Sequence, residues 1–349
     1  DHNFLGYLGT ELIDGQLQTD VPGVDNPLDG IGGMLLGPEG QVLVSSQLTN
    51  EVLAYSSLTG EFLGVFGDAS ADAVMAATGT PLEFPAGLAL NDILNLYVSD
   101  LGNGRILSFD GFGGAFQDVV VELEATDPAG SRFTDMEFGR DGLLYVGFNP
   151  PLGDPGTQLG QAEVRAYDPN TGVLVHRIPG LDFAAALSTD REGHLYVSDD
   201  AASLGLDPAT NLPFVDPATG AFKESRILIY ELDDVHPIAD APLRVQQFSV
   251  GFGNGGALSV DPEGVIYLSN PVSGIVTLYD DEGTLLETIV PPLPPAAAAG
   301  DDNGQGRPTG QFLMRNTLLS SDEFIPPADA PLEFLTVSGQ TVLDGTTVA

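Results

Sequence analysis

The stretch that decides the fold is Asn95-Leu-Tyr-Val-Ser-Asp100-Leu-Gly-Asn-Gly-Arg105-Ile-Leu-Ser-Phe109, which contains two short β-rich segments joined by a turn. Each segment combines β-branched and aromatic residues in the way that is typical of strands. Segments like the first one recur along the chain, and they are Gln41–Ser46, Leu143–Phe148, His194–Asp199, Val265–Asn270 and Asn316–Ser321. Because self-similarity of this kind marks a repeat architecture, the sequence predicts six copies of one structural unit.

A second strand follows each of these segments and carries its own aromatic residue. These second strands are Val52–Tyr55, Ile106–Phe109, Val164–Tyr167, Ile227–Tyr230, Val276–Tyr279 and, less clearly, Leu332–Leu335. Tight-turn sequences such as Gly37-Pro-Glu-Gly40 and Asp280-Asp-Glu-Gly283 lie between strands. Four-stranded units of about 40 to 50 residues are propeller blades. We therefore predict an all-β, six-bladed β-propeller with four-stranded blades. It forms a single domain over residues 1–349, with blades at about 30–67, 84–122, 132–179, 181–250, 255–291, and 308–349 plus 3–8.

The two ends of the chain are predicted to share the sixth blade. The opening residues resemble the outer strand of the first blade, so Asn3–Leu8 is expected to be the outer strand of the sixth. Its inner strands would be Gln311–Arg315, Thr317–Ser321 and about Leu332–Val337, which closes the ring with the N-terminal strand. The segment Gln340–Ala349 is a second candidate for the outer position. One candidate would be surplus and free to pair with another copy, so a homo-oligomer or polymer through terminal strands is expected.

The blade that begins at Phe84 resembles a known type of repeat. The segments Phe84-Pro-Ala-Gly-Leu-Ala-Leu90, Leu96–Asp100 and Asn103–Asp110 are similar to an NHL repeat. The same style of blade occurs in the six-bladed gluconolactonase-like (SMP-30) propellers. That resemblance implies a catalytic base at an Asp in a Tyr-Val-x-Asp context, beside metal-binding Glu and Asn residues. Asp100 and Asp199 match this context, but no matching Glu or Asn-Gly stands at the expected positions.

The composition restricts the partners of the protein. Acids number 50 against 11 bases, and the formal net charge is -39. Nucleic acid is excluded as a partner because binding it requires cations that neutralise phosphates. The scarcity of lysine and the acidic surface resemble adaptation to high salt, where screening weakens self-repulsion. The chain has no cysteine and no stretch of about 18 apolar residues that would span a membrane. With Asp rather than Met at position 1, these features lead us to expect a secreted or cell-surface protein.

The long connections are predicted to lie on one face of the propeller. Loops between second and third strands, and between blades, share a face, and the long ones are 11–29, 68–83, 149–161, 200–224, 291–307 and 323–330. Binding groups concentrate on long loops that a rigid scaffold carries. This face is therefore expected to bind a protein or carbohydrate ligand.

The residues that end the Tyr-Val-type strands, five of the six being polar, are predicted to converge at the centre of the same face. In order around the ring they are Ser46, Asp100, Phe148, Asp199, Asn270 and Ser321. Asp100, Asp199 and Asn270 are candidate ligands for Ca²⁺, which prefers oxygen, and Asp135 and Asp200 are expected to join them in binding. The alternative is that strand-end Asp and Asn residues cap the following turns.

Two classes of function remain open from the sequence. No complete catalytic constellation is present: the four histidines show no paired spacing, and there is no Gly-x-Ser-x-Gly motif. The preferred interpretation is a non-catalytic, extracytoplasmic binding or structural protein that acts through its long-loop face and self-assembles. The alternative is a metal-dependent lactonase-like hydrolase or lyase, with Asp100 or Asp199 as the base and the site at the mouth of the central channel.

Overall fold

The computed structural model describes residues 31–151, 160–200, 223–232, 242–251, 255–261, 263–270 and 275–289, together with the backbone of short strands outside these ranges. The first of these short strands are β1 (Asn3–Tyr7), β2 (Glu11–Ile13) and β3 (Gln16–Gln18). Strands β2 and β3 pair with each other as an antiparallel hairpin.

The first blade is a four-stranded antiparallel sheet followed by a helix. Its strands, from the inside outwards, are β4 (Ile31–Leu36), β5 (Gln41–Ser46), β6 (Glu51–Ser56) and β7 (Phe62–Ser70). Helix α1 (Ala71–Thr78) follows β7 directly, because the hydroxyl of Ser70 accepts a hydrogen bond from Ala73 N and caps the helix. The sequence led us to expect only a loop at 68–83. Within the described residues no helix is long and apolar enough to cross a membrane.

Four further blades have the same four-stranded form. Their strands, in chain order, are β8 (Pro85–Leu90), β9 (Leu96–Asp100), β10 (Arg105–Phe109), β11 (Phe116–Glu122), β12 (Arg132–Phe138), β13 (Leu144–Asn149), β14 (Ala162–Tyr167), β15 (Leu174–Leu181), β16 (Ala184–Thr189), β17 (His194–Asp199), β18 (Leu206–Asp207), β19 (Leu212–Pro213), β20 (Ser225–Glu231), β21 (Leu243–Gly251), β22 (Leu258–Val260), β23 (Ile266–Asn270), β24 (Ile275–Tyr279) and β25 (Leu285–Ile289). The short pair β18 and β19 is inserted between the second and third strands of the fourth blade. The prediction of an all-β propeller is confirmed.

The prediction of six four-stranded blades is wrong, because the described strands form five. The remaining strands, β26 (Gln311–Leu313), β27 (Leu335–Val337) and β28 (Thr341–Asp344), belong to two separate two-stranded sheets. Strand β26 pairs with β27, and β28 pairs with the N-terminal strand β1. Strands of three to five residues form few ladder hydrogen bonds, and the ladder is interrupted between β27 and β28.

This arrangement changes the expected order of the terminal strands. Leu335–Val337 is the neighbour of the inner strand β26, a position that the sequence predicts for Thr317–Ser321, which lies outside the described residues. The two candidates for the outer strand, at 3–8 and 340–349, are not alternatives, because β1 and β28 are partners in one sheet.

The innermost strands form a ring. Contacts link β4 to β8, β8 to β12, β12 to β16, β16 to β22, β22 to β26 and β26 back to β4. A buried side-chain hydroxyl bridges to a backbone carbonyl of the following blade at each of the first four junctions. These hydrogen bonds run from Ser45 to Ala86 O, from Ser99 to Thr134 O, from Thr134 to Ala184 O and from Ser198 to Gly255 O, at 2.5, 2.9, 2.8 and 2.9 Å. At three of these junctions the hydroxyl belongs to the serine of the repeated strand, and at the junction between the third and fourth blades it belongs to Thr134.

Candidate functional site

The two faces of the propeller can be defined from the register of the second blade. Asp100, at the end of β9, pairs with Pro85 at the start of β8 and with Arg105 at the start of β10. We call the face that carries these three residues the loop face. The opposite face, which carries the turns after the first and third strands of each blade, is the turn face.

Asp100 lies at the loop face with all of its polar contacts made inside the protein. Its side chain is 0% exposed and its carboxylate is 2.7 Å from Nε of Arg105. The backbone N–H of Glu83 donates to Oδ1 at 2.9 Å, and the side-chain amide of Asn103 donates to both oxygens at 3.0 Å. A carboxylate with this set of donors is held in a fixed position.

Asp199 occupies the corresponding position in the fourth blade and has the same kind of partners. Its side chain is 0% exposed, Nη2 of Arg226 lies at 2.5 Å, and the backbone N–H groups of Asp182 and Phe183 donate at 2.7 and 2.9 Å. Burial raises the pKa of Asp199, while Arg226 acts in the opposite direction. Burial also disfavours the charge on Arg226, but the carboxylate of Asp199 outweighs it and raises the pKa of the guanidinium.

These two aspartates do not have the geometry of a base or a metal ligand. A general base must come within hydrogen-bond reach of its substrate, and neither side chain has an exposed surface. Each carboxylate is paired with a cross-strand arginine, Arg105 or Arg226, that neutralises the charge a cation would need. Both also accept backbone N–H groups, which belong to the segment before the first strand of the blade (Glu83, Asp182 and Phe183) and not to the following turn that the capping alternative names. The signal missed in the sequence was the arginine at the start of the following strand.

Asp135 is a carboxylate in the middle of the innermost strand β12, which also carries the buried Glu137. Asp135 is partly exposed, and its Oδ2 accepts a hydrogen bond from Leu187 N of the fourth blade at 2.9 Å. Gly87 of the second blade packs against it so closely that a Cβ there would lie 2.7 Å from the Asp135 Cα. The missing side chain at Gly87 is therefore what makes room for Asp135 between the two inner strands.

The other residues that the sequence predicts at the site are mostly buried or half-buried. Asp200 is buried and accepts a hydrogen bond from Ser225 Oγ at 2.5 Å. Asn270 is half-buried at the end of β23, and Ser46 is buried at the end of β5. Phe148 is buried below the guanidinium of Arg165, whose central carbon lies 3.4 Å from the ring centroid. Ser321 lies outside the described residues.

Arg165 forms a further buried ion network in the third blade. Its Nη1 and Nη2 donate to the two oxygens of Asp127 at 2.8 and 2.6 Å, and its Nε donates to Glu163 at 2.7 Å. Burial disfavours the ionised form of Asp127, but the hydrogen bonds from Arg165 outweigh it and lower the pKa of that carboxyl. This network ties the segment between the second and third blades to β14.

The turn face holds a separate acidic pocket between the fourth and fifth blades. The pocket has a volume of about 340 Å³, and its lining includes Asp190, His194, Tyr196, Asp280 and Asp281. Asp190 Oδ2 lies 2.8 Å from His194 Nδ1 and accepts from the Tyr196 hydroxyl at 3.0 Å. Among the residues that the structure describes, one acidic trio, Asp280, Asp281 and Glu282, has carboxylate oxygens within 4.8 Å of one another. Among the described residues, neither Asp100 nor Asp199 belongs to a group of three acidic or histidine side chains of this kind.

The fold resembles that of solved gluconolactonase-like propellers. The chain is similar to a structure described as a putative gluconolactonase, with 17% identity, 93% of this chain and 91% of that chain covered, and a TM-score of 0.56. It is also similar to regucalcin, described as a calcium-binding protein, from Agrobacterium tumefaciens, with 16% identity, coverages of 82% and 77%, and a TM-score of 0.51. A gluconolactonase from Xanthomonas campestris aligns at 19% identity over 76% and 77% of the two chains, with a TM-score of 0.49.

No protein-family model matches the chain, and no curated protein sequence matches it. The structural likeness confirms, at the level of the fold, the resemblance that the repeats indicated. At these identities it carries no residue roles.

Proposed function

We propose that the protein is a metal-dependent hydrolase of lactones, with its site on the loop face at the mouth of the inner ring. The observation that carries the proposal is Asp135, a partly exposed carboxylate on an innermost strand for which Gly87 makes room. The shared fold supports it, since similar propellers are described as a calcium-binding protein and as a putative gluconolactonase. This reverses our sequence-based preference for a non-catalytic protein.

Asp135 and Asn270 would hold the ion, and Ca²⁺ is the ion that their oxygen atoms favour. A divalent ion in a hydrolytic site polarises the carbonyl of its substrate. In this proposal Asp100 and Asp199 do not bind the ion. Their buried ion pairs with arginine stabilise the loop face.

The charge of the protein favours a lactone for a further reason. A lactone is neutral, whereas the hydroxy acid produced by its hydrolysis is an anion at neutral pH. With a formal net charge of -39, the protein repels that product at low ionic strength while leaving the neutral substrate unaffected, and salt weakens this repulsion. The same charge argues against phosphorylated or carboxylated substrates.

The test is hydrolysis of neutral sugar lactones, followed by pH-stat, with Ca²⁺ and after treatment with a chelator. Asp135→Asn is the informative variant, since an amide oxygen can still accept the N–H of Leu187 while the charge that holds the ion is lost. Asp92→Asn, at an exposed position on the turn face, is the matched control. We expect ion-dependent hydrolysis that falls at least about a hundredfold in Asp135→Asn only. Absence of lactone hydrolysis, or hydrolysis at the same rate after treatment with the chelator, would contradict the proposal.

A second candidate is a non-catalytic binding or structural propeller that assembles with copies of itself. Its supporting observation is that the two aspartates in the Tyr-Val-x-Asp context are both buried in ion pairs. Light scattering in high salt, with and without a chelator, separates the two candidates. A large assembly with no lactone hydrolysis favours this second function, and an active monomer of about 36.4 kDa removes it.

We also propose that the protein works outside the cytoplasm, in a high-salt environment. The support is the excess of 50 acids over 11 bases, whose mutual repulsion is screened as ionic strength rises. The melting temperature should therefore rise steeply between 0.1 M and 2 M KCl. A melting temperature that does not change with salt would contradict this proposal.

A further inference from the structure

Phe84 stands on the loop face in a backbone conformation that costs stability. Its φ of 51° lies in the left-handed region, which is a genuine outlier for a bulky residue. The residue also precedes Pro85, a context that favours extended backbone instead. Despite this conformation the residue is 40% exposed, so burial of the ring does not account for it. Strained backbone of this kind persists only where the surroundings enforce it, and it concentrates at sites that clamp ligands.

The surroundings of Phe84 do enforce it. The side-chain oxygen of Asn50, in a loop of the first blade, accepts the Phe84 N–H at 2.8 Å. The preceding residue, Glu83, donates its N–H to Asp100 and accepts the N–H of Gly102 through its carbonyl at 2.9 Å. Phe84 is thus held from two neighbouring blades.

The buried ion pair of the second blade fixes the same segment from below. Nη2 of Arg105 donates to the carbonyls of Thr80 and Pro81 at 2.9 and 3.0 Å, and Asn103 donates to the carbonyl of Pro81 at 2.8 Å. The network that occupies Asp100 therefore holds residues 80–84 in one position. As a result, the aromatic ring of Phe84 is held in an exposed position at the start of the inner strand β8.

The position of Phe84 relative to Asp135 suits a ring-shaped ligand. Phe84 precedes β8, and Gly87, three residues further along, packs directly on Asp135. Three residues of fully extended chain span about 10 Å at most, and the bulge of β8 between Pro85 and Leu88 shortens this distance to a length that suits one six-membered ring. Leu48, 59% exposed in the same loop as Asn50, adds apolar surface on the first-blade side.

We propose that Phe84 is a ligand-positioning residue, whose aromatic ring packs against the apolar face of a neutral, sugar-derived ring. This inference rests on the proposed function for the position of the reacting carbonyl near Asp135. An aromatic ring offers a large, rigid contact surface, while carboxylates accept hydrogen bonds from hydroxyl groups. A sugar-derived lactone presents an apolar ring face and hydroxyls at its edge, and it is uncharged.

The chain contains no tryptophan, so Phe84→Trp introduces a single fluorescent reporter at the site. Phe112→Trp is the matched control, because Phe112 is also exposed, at 52%, in a turn of the same blade on the turn face. The probes are glucose, a neutral ring without the scissile ester, gluconolactone, and gluconate, an open-chain anion. We expect saturable changes in emission with glucose and gluconolactone for Phe84→Trp, none with gluconate, and none for Phe112→Trp with any probe.

A second variant separates a functional role from a structural one. Glycine adopts positive φ without strain, so Phe84→Gly should leave the melting temperature almost unchanged. We expect its KM for gluconolactone to rise about tenfold while kcat changes less than about threefold, as for the loss of a stacking contact. A large fall in melting temperature with unchanged KM would assign Phe84 a structural role and overturn the inference.

The outcomes distinguish this inference from the proposed function. If no lactone is hydrolysed but emission of Phe84→Trp responds to glucose, Phe84 binds a ring and the hydrolase proposal falls. If lactones are hydrolysed and neither Phe84 variant differs from its control, the hydrolase stands and the inference falls. If neither signal is seen, both are wrong.

Discussion

Asp100 and Arg105 face each other across adjacent strands and form a buried ion pair in which the carboxylate lies 2.7 Å from the guanidinium Nε. Asp199 and Arg226 repeat this relationship in the fourth blade. The residues that a motif comparison selects as catalytic are therefore the ones that hold the loop face in shape. We expect the reaction to take place on the loop face, which these ion pairs stabilise.

Asp100→Asn should destabilise the protein strongly. Removing one partner of a buried ion pair leaves the other charge uncompensated, and Arg105 is 7% exposed. We expect a loss of about 3–5 kcal/mol in the free energy of unfolding, measured by urea titration in high salt. The control Asp92→Asn, at an exposed site of the same blade, should change it by less than about 0.5 kcal/mol. Equal effects of the two substitutions would show that the ion pair contributes nothing.

Gly87→Ala should disturb the junction between the second and third blades. The added Cβ would lie 2.7 Å from both Asp135 Cα and Thr134 O, and these backbone atoms cannot move away cheaply. The expected cost is about 1–3 kcal/mol of stability, together with loss of any activity that depends on Asp135. Gly113→Ala, at a glycine whose nearest neighbour is 3.6 Å away, is the matched control. Retention of full activity by Gly87→Ala would place the site elsewhere.

Arg165→Lys should be destabilising although it preserves the charge. Lysine cannot reproduce the two parallel hydrogen bonds to Asp127 or the packing of the guanidinium over Phe148. A loss of about 3 kcal/mol in chemical unfolding is expected. The same change at Arg191, whose side chain is exposed, should have no measurable effect. A tolerated Arg165→Lys would mean that the charge alone is sufficient.

Asp127 should make stability depend on pH in the acidic range. Its pKa is lowered in the folded protein, so the stability that it contributes is fully present above its unfolded pKa of about 3.9. That contribution is lost as the pH falls through the lower, folded pKa. The difference in unfolding free energy between the parent and Asp127→Asn should be constant above about pH 5 and shrink below it. A difference that grows as the pH falls would contradict this assignment.

Deletion of residues 1–9 should favour association between copies. The deletion removes β1 and leaves β28 with an unpaired edge, and such edges pair with other strands. Light scattering should then show a larger mass for the truncated protein than for the full chain, with a lower melting temperature. A truncated monomer of unchanged stability would show that the β1–β28 pair is dispensable.

The sequence was sufficient for the fold class because its strongest signal is local and repeated. Segments such as Leu96–Asp100 carry strand propensity, a turn and an aromatic in fixed order, so six copies identify a propeller. It was insufficient for the last blade, because the chain after residue 290 is rich in Pro, Ala and Gly and its strands are short. The sequence predicts a loop where helix α1 forms. The helix has only eight residues, and its main local signal is the cap at Ser70.

Only part of the candidate site could be predicted from the sequence, for a different physical reason. The sequence shows that Asp100 and Asp199 end strands, but burial and cross-strand arginine partners are properties of strand register. Asp135 was selected as a member of the site, whereas the significance of Gly87 and Phe84 depends on contacts between blades. Such contacts join residues that are far apart in the chain, and a local pattern does not reveal them.

The pairing of β1 with β28 has a consequence for synthesis. Asn3 of β1 is translated before any of the five four-stranded blades, and its partner Asp344 of β28 is translated after all of them. The five four-stranded blades can each form as soon as their own strands are made, since all of their pairings are between neighbours in sequence or across one insertion. The nascent protein must therefore carry β1 unpaired until β28 has been translated, and among the described strand pairs this one has the greatest separation along the chain.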